Sequence, residues 1–161
     1  MSDFVTCDLC DAHPEDAQAI TGVAWRSFGG RVRFHGQIET VKCFEDNSRI
    51  KELLATPGKG KVLVVDGGGS LRRALLGDLI AAAAVRQGWE GVILFGACRD
   101  VEVLATLDIG IFALGAVPLK TDRRGEGQQH LPIHIAGQPI RPGDFVYADP
   151  NGVITAPKAL I

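Results

Sequence analysis

The alternation of apolar and polar positions changes character twice along this chain. Over residues 3–20 it is irregular and fits a short helical pair, with Ser2 or Thr6 as caps and Pro14 at a helix start. Gly29-Gly30 marks a turn. Arg31 to Phe34 and Gln37 to Cys43 then alternate in period two, the pattern of half-buried strands. Phe44-Glu45-Asp46-Asn47 reads as a turn, and Ser48 to Ala55 as a helix closed by Pro57-Gly58.

In the centre the alternation gives way to continuous apolar runs. Lys61 to Val65 is β-branched almost throughout, as in a strand covered on both faces, and Gly91 to Phe95 is a second such run. Between them Leu79 to Gln87 is a strong helix former stopped by Gly88. Strand, helix and strand make a βαβ unit with parallel strands and a right-handed crossover. Val101 to Thr106 fits a short helix and Ile109 to Leu114 a further strand.

The last third returns to period two. Glycines and prolines from Gly125 to Gly143 separate short segments, with strands expected at Leu131 to Ile135, Phe145 to Ala148 and Gly152 to Thr155. Asp149-Pro150-Asn151-Gly152 is the hairpin turn between the last two. Strands at both ends of a central βαβ unit predict a layered α/β structure rather than a plain doubly wound sheet.

Composition narrows the function classes. The 161 residues fit one domain with a sizeable core, and 46% hydrophobic with 22% charged residues is the balance of a folded protein. A net charge of −2 argues against binding nucleic acid through bulk charge. The basic pairs Arg72-Arg73 and Arg123-Arg124 read as solvated charge. No apolar run reaches the length of a membrane span, and the N-terminus lacks the basic and apolar regions of a signal peptide, so a cytoplasmic protein is expected. Cys7 and Cys10 have knuckle spacing, but Cys43 and Cys98 do not supply the second pair that structural zinc requires.

The residues with chemical promise gather where strands end. In open α/β structures ligands bind beyond the carboxyl ends of strands. One run ends in Asp66 and Gly67-Gly68-Gly69, the other in Arg99-Asp100, and the intervening helix opens near Gly77-Asp78 at the same edge. The unpaired N–H groups of Leu79 and Ile80 can hold a carboxylate or an enolate oxygen. Arg99 offers a planar fork for a carboxylate, and Asp100 is a hard ligand of the kind magnesium or manganese takes. Each residue has an ordinary alternative: an ion pair at a helix start, a helix-start acid, a turn former. The glycine loop matches neither a phosphate-binding loop nor a dinucleotide fingerprint. His35, His130 and His134 lack ligand spacing. Cys98 beside Arg99 is a reactive thiol or, more simply, a buried small residue. Lys61 starts a strand and is poorly placed for Schiff-base chemistry.

The chain resembles the family of the regulator of ribonuclease E activity A, which includes metal-dependent 4-hydroxy-4-methyl-2-oxoglutarate aldolases. The resemblance runs from Thr6-Cys7-Asp8-Leu9-Cys10-Asp11 through Phe34-His35-Gly36-Gln37-Ile38 and Val64-Val65-Asp66-Gly67-Gly68-Gly69 to Val146-Tyr147-Ala148-Asp149. The family signature, an Asp followed after twenty residues by Arg-Asp, falls on Asp78, Arg99 and Asp100.

The resemblance implies a three-layer β/β/α swivelling domain in a ring-shaped homotrimer, with the active site at a subunit interface. It implies substrate contacts from Gly77, Asp78, Leu79, Ile80 and Arg99. Asp100 would bind a divalent cation, Mg2+ or Mn2+, and Asp78 would orient water on it. The implied activity is cleavage of 4-hydroxy-4-methyl-2-oxoglutarate to two pyruvates, with oxaloacetate decarboxylation through a shared pyruvate enolate. The alternative is a non-catalytic regulator that binds ribonuclease E. That branch can lack the acid after the arginine, so the presence of Asp100 favours the enzyme.

Overall fold

The computed structural model describes residues 3–161. It is organised by a nine-stranded mixed sheet. At its centre β3 (Phe34–Lys42), β4 (Lys61–Asp66), β6 (Gly91–Phe95) and β8 (Gly110–Ala113) run parallel. The antiparallel hairpin β13 (Phe145–Asp149) and β14 (Gly152–Ala156) extends the sheet beyond β3. The two-residue strands β1 (Gln18–Ala19) and β2 (Arg26–Ser27) finish its opposite edges, and β10 (Gln128–Gln129) pairs with the end of β3.

The continuous apolar runs are explained by burial on both faces. In β4, Leu63 and Val65 point into one core and Val62 and Val64 into the other. The first core lies under α2 (Ser48–Leu54), α3 (Asp78–Arg86) and α4 (Val101–Leu104). The second is covered by the hairpin β11 (Ile133–Ile135) and β12 (Gln138–Ile140), whose Ile133, Ile135 and Ile140 join Phe34, Ile38 and Ile93. Hairpin, main sheet and helices are the three layers of the expected β/β/α fold. Among the described residues no helix is long and apolar enough to cross a membrane.

Phe34 sets the spacing within the second core. Gly91 and Gly110 are register partners at the starts of β6 and β8, and a Cβ on either would enter the Phe34 ring. The ring therefore lies flat over two bare strand starts. It meets Phe112 edge-on, with centroids 5.2 Å apart at 88°.

The N-terminal region departs from the expected helical pair. Only α1 (Thr6–Ala12) forms, and His13 to Ala17 is turn before β1. The N-cap is Val5, with no side-chain cap; the Ser2 cap lies outside the described residues. Thr6 is drawn elsewhere. Its N–H and hydroxyl each donate to buried Asp149 over 2.7 Å, so a long-range carboxylate replaces a local cap. Gln18 and Ala19 pair with Thr155 and Ile154, and this edge pairing removes the residues a second helix needs.

Asp149 also accepts from Asn151 N–H and pairs with Arg33 at 3.0 Å. Burial pushes its carboxyl up, but the Thr6 and Asn151 hydrogen bonds and the Arg33 charge together outweigh that and hold it below the usual range. The expected turn residue is thus also the anchor of α1.

The two strands expected at 31–34 and 37–43 are one, Phe34–Lys42. Gly36 is a site of close approach rather than a break, since a Cβ there would press on the Gly60 carbonyl.

Gly110→Ala should destabilise the protein by roughly 1–3 kcal/mol through overpacking. Combining it with Phe34→Leu should recover part of that loss relative to the sum of the single effects. Urea melts of the singles and the double check this; strict additivity would show that the ring and the glycine are independent.

Candidate active site

All four parallel strands release the chain at one edge. After β3 comes the loop 43–47. After β4 come the glycine loop, β5 (Ala74–Leu76) and α3; after β6, β7 (Ala97–Cys98) and α4; after β8, β9 (Gly115–Ala116) and the segment 117–124. The short strands β5, β7 and β9 form their own parallel sheet above this edge. They align Leu76 with Cys98 and Cys98 with Ala116, which brings the next residues of each, Gly77 and Arg99, together. Such strands are too short to carry a readable period, and the hydrophobic pattern does not reveal them.

Here the signature residues meet. Arg99 N–H donates to the Leu76 carbonyl (2.9 Å). Asp100 is the N-cap of α4 but makes no side-chain cap there. Its Oδ2 instead accepts the Asp78 N–H at 3.0 Å and lies 3.8 Å from Arg99 Nε. The ordinary reading of a helix-start ion pair is therefore incomplete, because Asp100 caps α3 and not its own helix. It does so from a left-handed backbone, φ 57°, a conformation in which Asp is better tolerated than most residues.

Gly77, the N-cap of α3, is required by space. A Cβ there would stand 2.8 Å from Asp100 Oδ2 and 3.3 Å from Arg99 Nε. The first intrahelical bond of α3 is Ala81 N–H to Gly77 carbonyl (3.1 Å). Leu79 and Ile80 thus have no intrahelical acceptor for their N–H groups.

A cleft of about 70 Å³ is lined by Gly77 to Ile80, Arg99, Ala74, Asn47 and the segment Lys120, Thr121 and Arg123. Arg99 is also a wall of a wider depression of about 460 Å³ that carries Asp100, Val101 and Glu102. Asp78 and Asp100 thus lie on either side of Arg99.

Asn47, Thr121 and Arg123, which carry no recognisable motif, also line the cleft. Asn47 is buried. Its Nδ2 donates to the Leu75 carbonyl (3.0 Å), and its Oδ1 accepts from Thr121 Oγ1 (2.8 Å) and Arg123 Nε (2.9 Å). Asp46 beside it accepts from Ser48 N–H and hydroxyl and from the Arg124 and Glu126 N–H groups. The turn expected at 44–47 is thus a hub that ties the segment 121–126 to β5. Asp-Asn-Ser before a helix was its sequence signal, but the signal cannot tell a local cap from a long-range one.

Other candidates stay outside. Asp66 is a turn former whose Oδ1 accepts the Gly68 N–H (2.9 Å). Burial raises the Cys98 thiol to about 12, which suits a core residue and not a nucleophile. Arg124 is solvated, paired loosely with Glu126 at 3.5 Å. Its neighbour Arg123, read alike from sequence, faces the cleft.

Among the described residues no three His, Cys, Asp or Glu side chains gather as a closed metal cage. Asp100 offers a single carboxylate, one oxygen of which the Asp78 N–H fixes while the side chain stays about one-third exposed. One hard oxygen ligand fits a magnesium-like ion that keeps most of its waters, and lacks the nitrogen and sulfur ligands of a closed zinc site.

A family model described as RraA-like: Aldolase/RraA matches residues 6–155. A protein of Alcanivorax borkumensis named "putative 4-hydroxy-4-methyl-2-oxoglutarate aldolase" is 65% identical over 98% of this chain and 99% of its own. The solved RNA-processing inhibitor RraA from Thermus thermophilis superposes with a TM-score of 0.93 at 43% identity, over 98% of this chain and 94% of that one. The S-adenosylmethionine: 2-dimethylmenaquinone methyltransferase from Geobacillus kaustophilus HTA426 does so with a TM-score of 0.94 at 41% identity, over 98% and 97%. Three activities are named on one architecture, and the choice among them falls to the cleft.

Asp46 gives the site a defined acid limit. Burial opposes its ionisation, but the Ser48, Arg124 and Glu126 hydrogen bonds prevail and bring its carboxyl from 3.8 to about 2. A carboxylate lowered in the folded state stabilises above its unfolded pKa, and that stabilisation is lost as pH falls through the folded value. About 2 kcal/mol should therefore be present at pH 5 and disappear between pH 4 and pH 2. Asp46→Asn should flatten this part of the stability profile in urea melts; an unchanged profile would remove Asp46 as its source.

Proposed function

The chain belongs to the RraA-like, Aldolase/RraA family, and from this premise we propose that it is a divalent-metal-dependent lyase. It cleaves 4-hydroxy-4-methyl-2-oxoglutarate to two pyruvates and decarboxylates oxaloacetate. The observation that carries the reading is the Asp100 carboxylate held 3.0 Å from the Asp78 N–H, with Arg99 beside it. A regulator that only docks has no need of this charge arrangement.

Asp100, with Asp78 close by, is suited to hold Mg2+ or Mn2+, which when bound supplies Lewis-acid polarisation of the 2-oxo group. The remaining tasks fall to the chain. Arg99 pairs with the carboxylate next to the 2-oxo group and fixes its orientation. The Leu79 and Ile80 N–H groups, at the positive end of α3, stabilise the negative charge that develops on the substrate oxygens. Cleavage breaks the C3–C4 bond, removes the proton of the C4 hydroxyl and returns a proton to C3. Asp78 lines the cleft and positions the water that carries it. Oxaloacetate loses carbon dioxide from the same carbon and needs only the protonation.

Leu79 (80% exposed), Leu119 (56%) and Val103 (44%) leave apolar surface around the site. This supports a ring-shaped homotrimer in which neighbouring copies cover the site.

The second reading, an inhibitor of RNA processing that binds ribonuclease E, draws on the 43% identity to the Thermus thermophilis RraA. It requires neither metal nor Asp100.

Purified protein should release pyruvate from oxaloacetate with Mg2+ or Mn2+, and a chelator should return the rate to the metal-only background. Asp100→Asn keeps an acceptor for the Asp78 N–H and should still lose turnover, as should Asp100→Ala. Arg99→Ala should cost about a hundredfold in kcat/KM through lost orientation. Background rates for the wild type would sink the lyase reading. Slowing of ribonuclease E cleavage that survives Asp100→Asn would establish the second one.

A further inference from the structure

We propose that Cys7 and Cys10 are a redox-responsive dithiol, closed to an intrachain disulfide by a small disulfide such as oxidised glutathione. The site lies on α1, apart from the cleft, and does not rest on the lyase reading.

The pair has knuckle spacing, yet among the described residues no three His, Cys, Asp or Glu side chains gather to hold a metal. The partner within reach of each thiol is the other one. Both cysteines lie within α1, three residues apart, and so are neighbours on one face of the helix. Helix geometry sets their Cα atoms about 5 Å apart, inside the range that a disulfide spans. Cβ atoms at this spacing stand roughly 5–6 Å apart and a disulfide needs about 4 Å, so closure tightens one turn. α1 has only seven residues and starts at Val5 without a side-chain cap, which leaves that turn little to resist the change.

The two thiols are unequal. Cys7 is exposed, whereas Cys10 is half-buried and packs against the cluster of Phe4, Leu9, Tyr147 and Ile154. Burial, then Cys7, Asp11 and Asp149, all push the Cys10 thiol up. A stabilised thiolate favours the reduced state of a dithiol, so surroundings that disfavour the thiolate favour the disulfide. The other cysteines are sealed. Cys43 and Cys98 are 7% and 0% exposed, and burial raises both thiols to about 12. Oxidation is thereby directed to one pair among the four cysteines.

The order of steps follows from exposure. Cys7 gives its thiol proton to water, and its Sγ attacks oxidised glutathione. A mixed disulfide forms and one glutathione thiolate leaves. Cys10 then gives up its proton and attacks Cys7 Sγ, which releases the second glutathione. Two electrons pass from the dithiol to the glutathione disulfide, and the two protons lost end on the two glutathione thiols. Excess reduced glutathione reverses both steps.

The test incubates the folded chain with oxidised glutathione, then denatures it and counts the remaining thiols with a maleimide. Mass spectrometry of the digested protein locates any bridge. Two of the four thiols should be lost to a disulfide joining Cys7 to Cys10, and dithiothreitol should return them. Cys10→Ser should stop instead at glutathione bound to Cys7, and Cys7→Ser should leave Cys10 largely unmodified over the same time. Thermal melts confirm that both variants fold. Four surviving thiols, a mixed disulfide that persists on wild-type Cys7, a bridge between two chains, or loss of Cys43 or Cys98 overturns the assignment.

Discussion

The cleft depends on one carboxylate held by a helix to which it does not belong. Asp100 leaves β7 in a left-handed conformation and accepts the N–H of Asp78 at the start of α3. This bond joins two successive strand exits and neutralises one open N–H of α3. It also fixes Asp100 beside Arg99, close enough that only glycine fits at position 77. A carboxylate and a guanidinium left free near each other would collapse into a direct pair. Here Arg99 Nε stays 3.8 Å away, and its Nη1 reaches toward the Pro118 carbonyl instead. The helix dipole thus competes for the acid and leaves the arginine open to other anions.

The same principle recurs behind the cleft. Asp46 collects four donors, two from the start of α2 and two from the segment 124–126. Asn47 ties that segment to β5. Buried acceptors that gather backbone N–H groups turn an irregular loop into a fixed wall, because each donor left without its partner would carry a desolvation cost. Beneath them the sheet is held by plain sterics, with the Phe34 ring seated on two glycines.

How much of this could be read in the sequence follows from the range of each signal. The apolar runs of β4 and β6 and the helix between them are legible because burial on both faces leaves a long, unambiguous pattern. The start of α3 is legible to within one residue, and Asp78, Arg99 and Asp100 were brought to one edge by topology alone. What escaped was short or distant. β5, β7 and β9 have two or three residues each, so no period can appear. Thr6 looks like a cap and serves Asp149, 143 residues away. Arg123 and Arg124 look alike in sequence, and only a buried amide 76 residues upstream distinguishes them.

The small sheet of β5, β7 and β9 stands between the main core and the reactive groups. The residues assigned a chemical task in the cleft directly follow one of these strands or open the helix after it, and of these only Ile80 also reaches the core beneath. Substitution at a handful of rim positions can remove the charge arrangement of the cleft while leaving the packed core beneath it intact. A scaffold built this way lends itself to a second career as a binding surface, and names as different as aldolase and inhibitor can then arise along one lineage without any change of architecture.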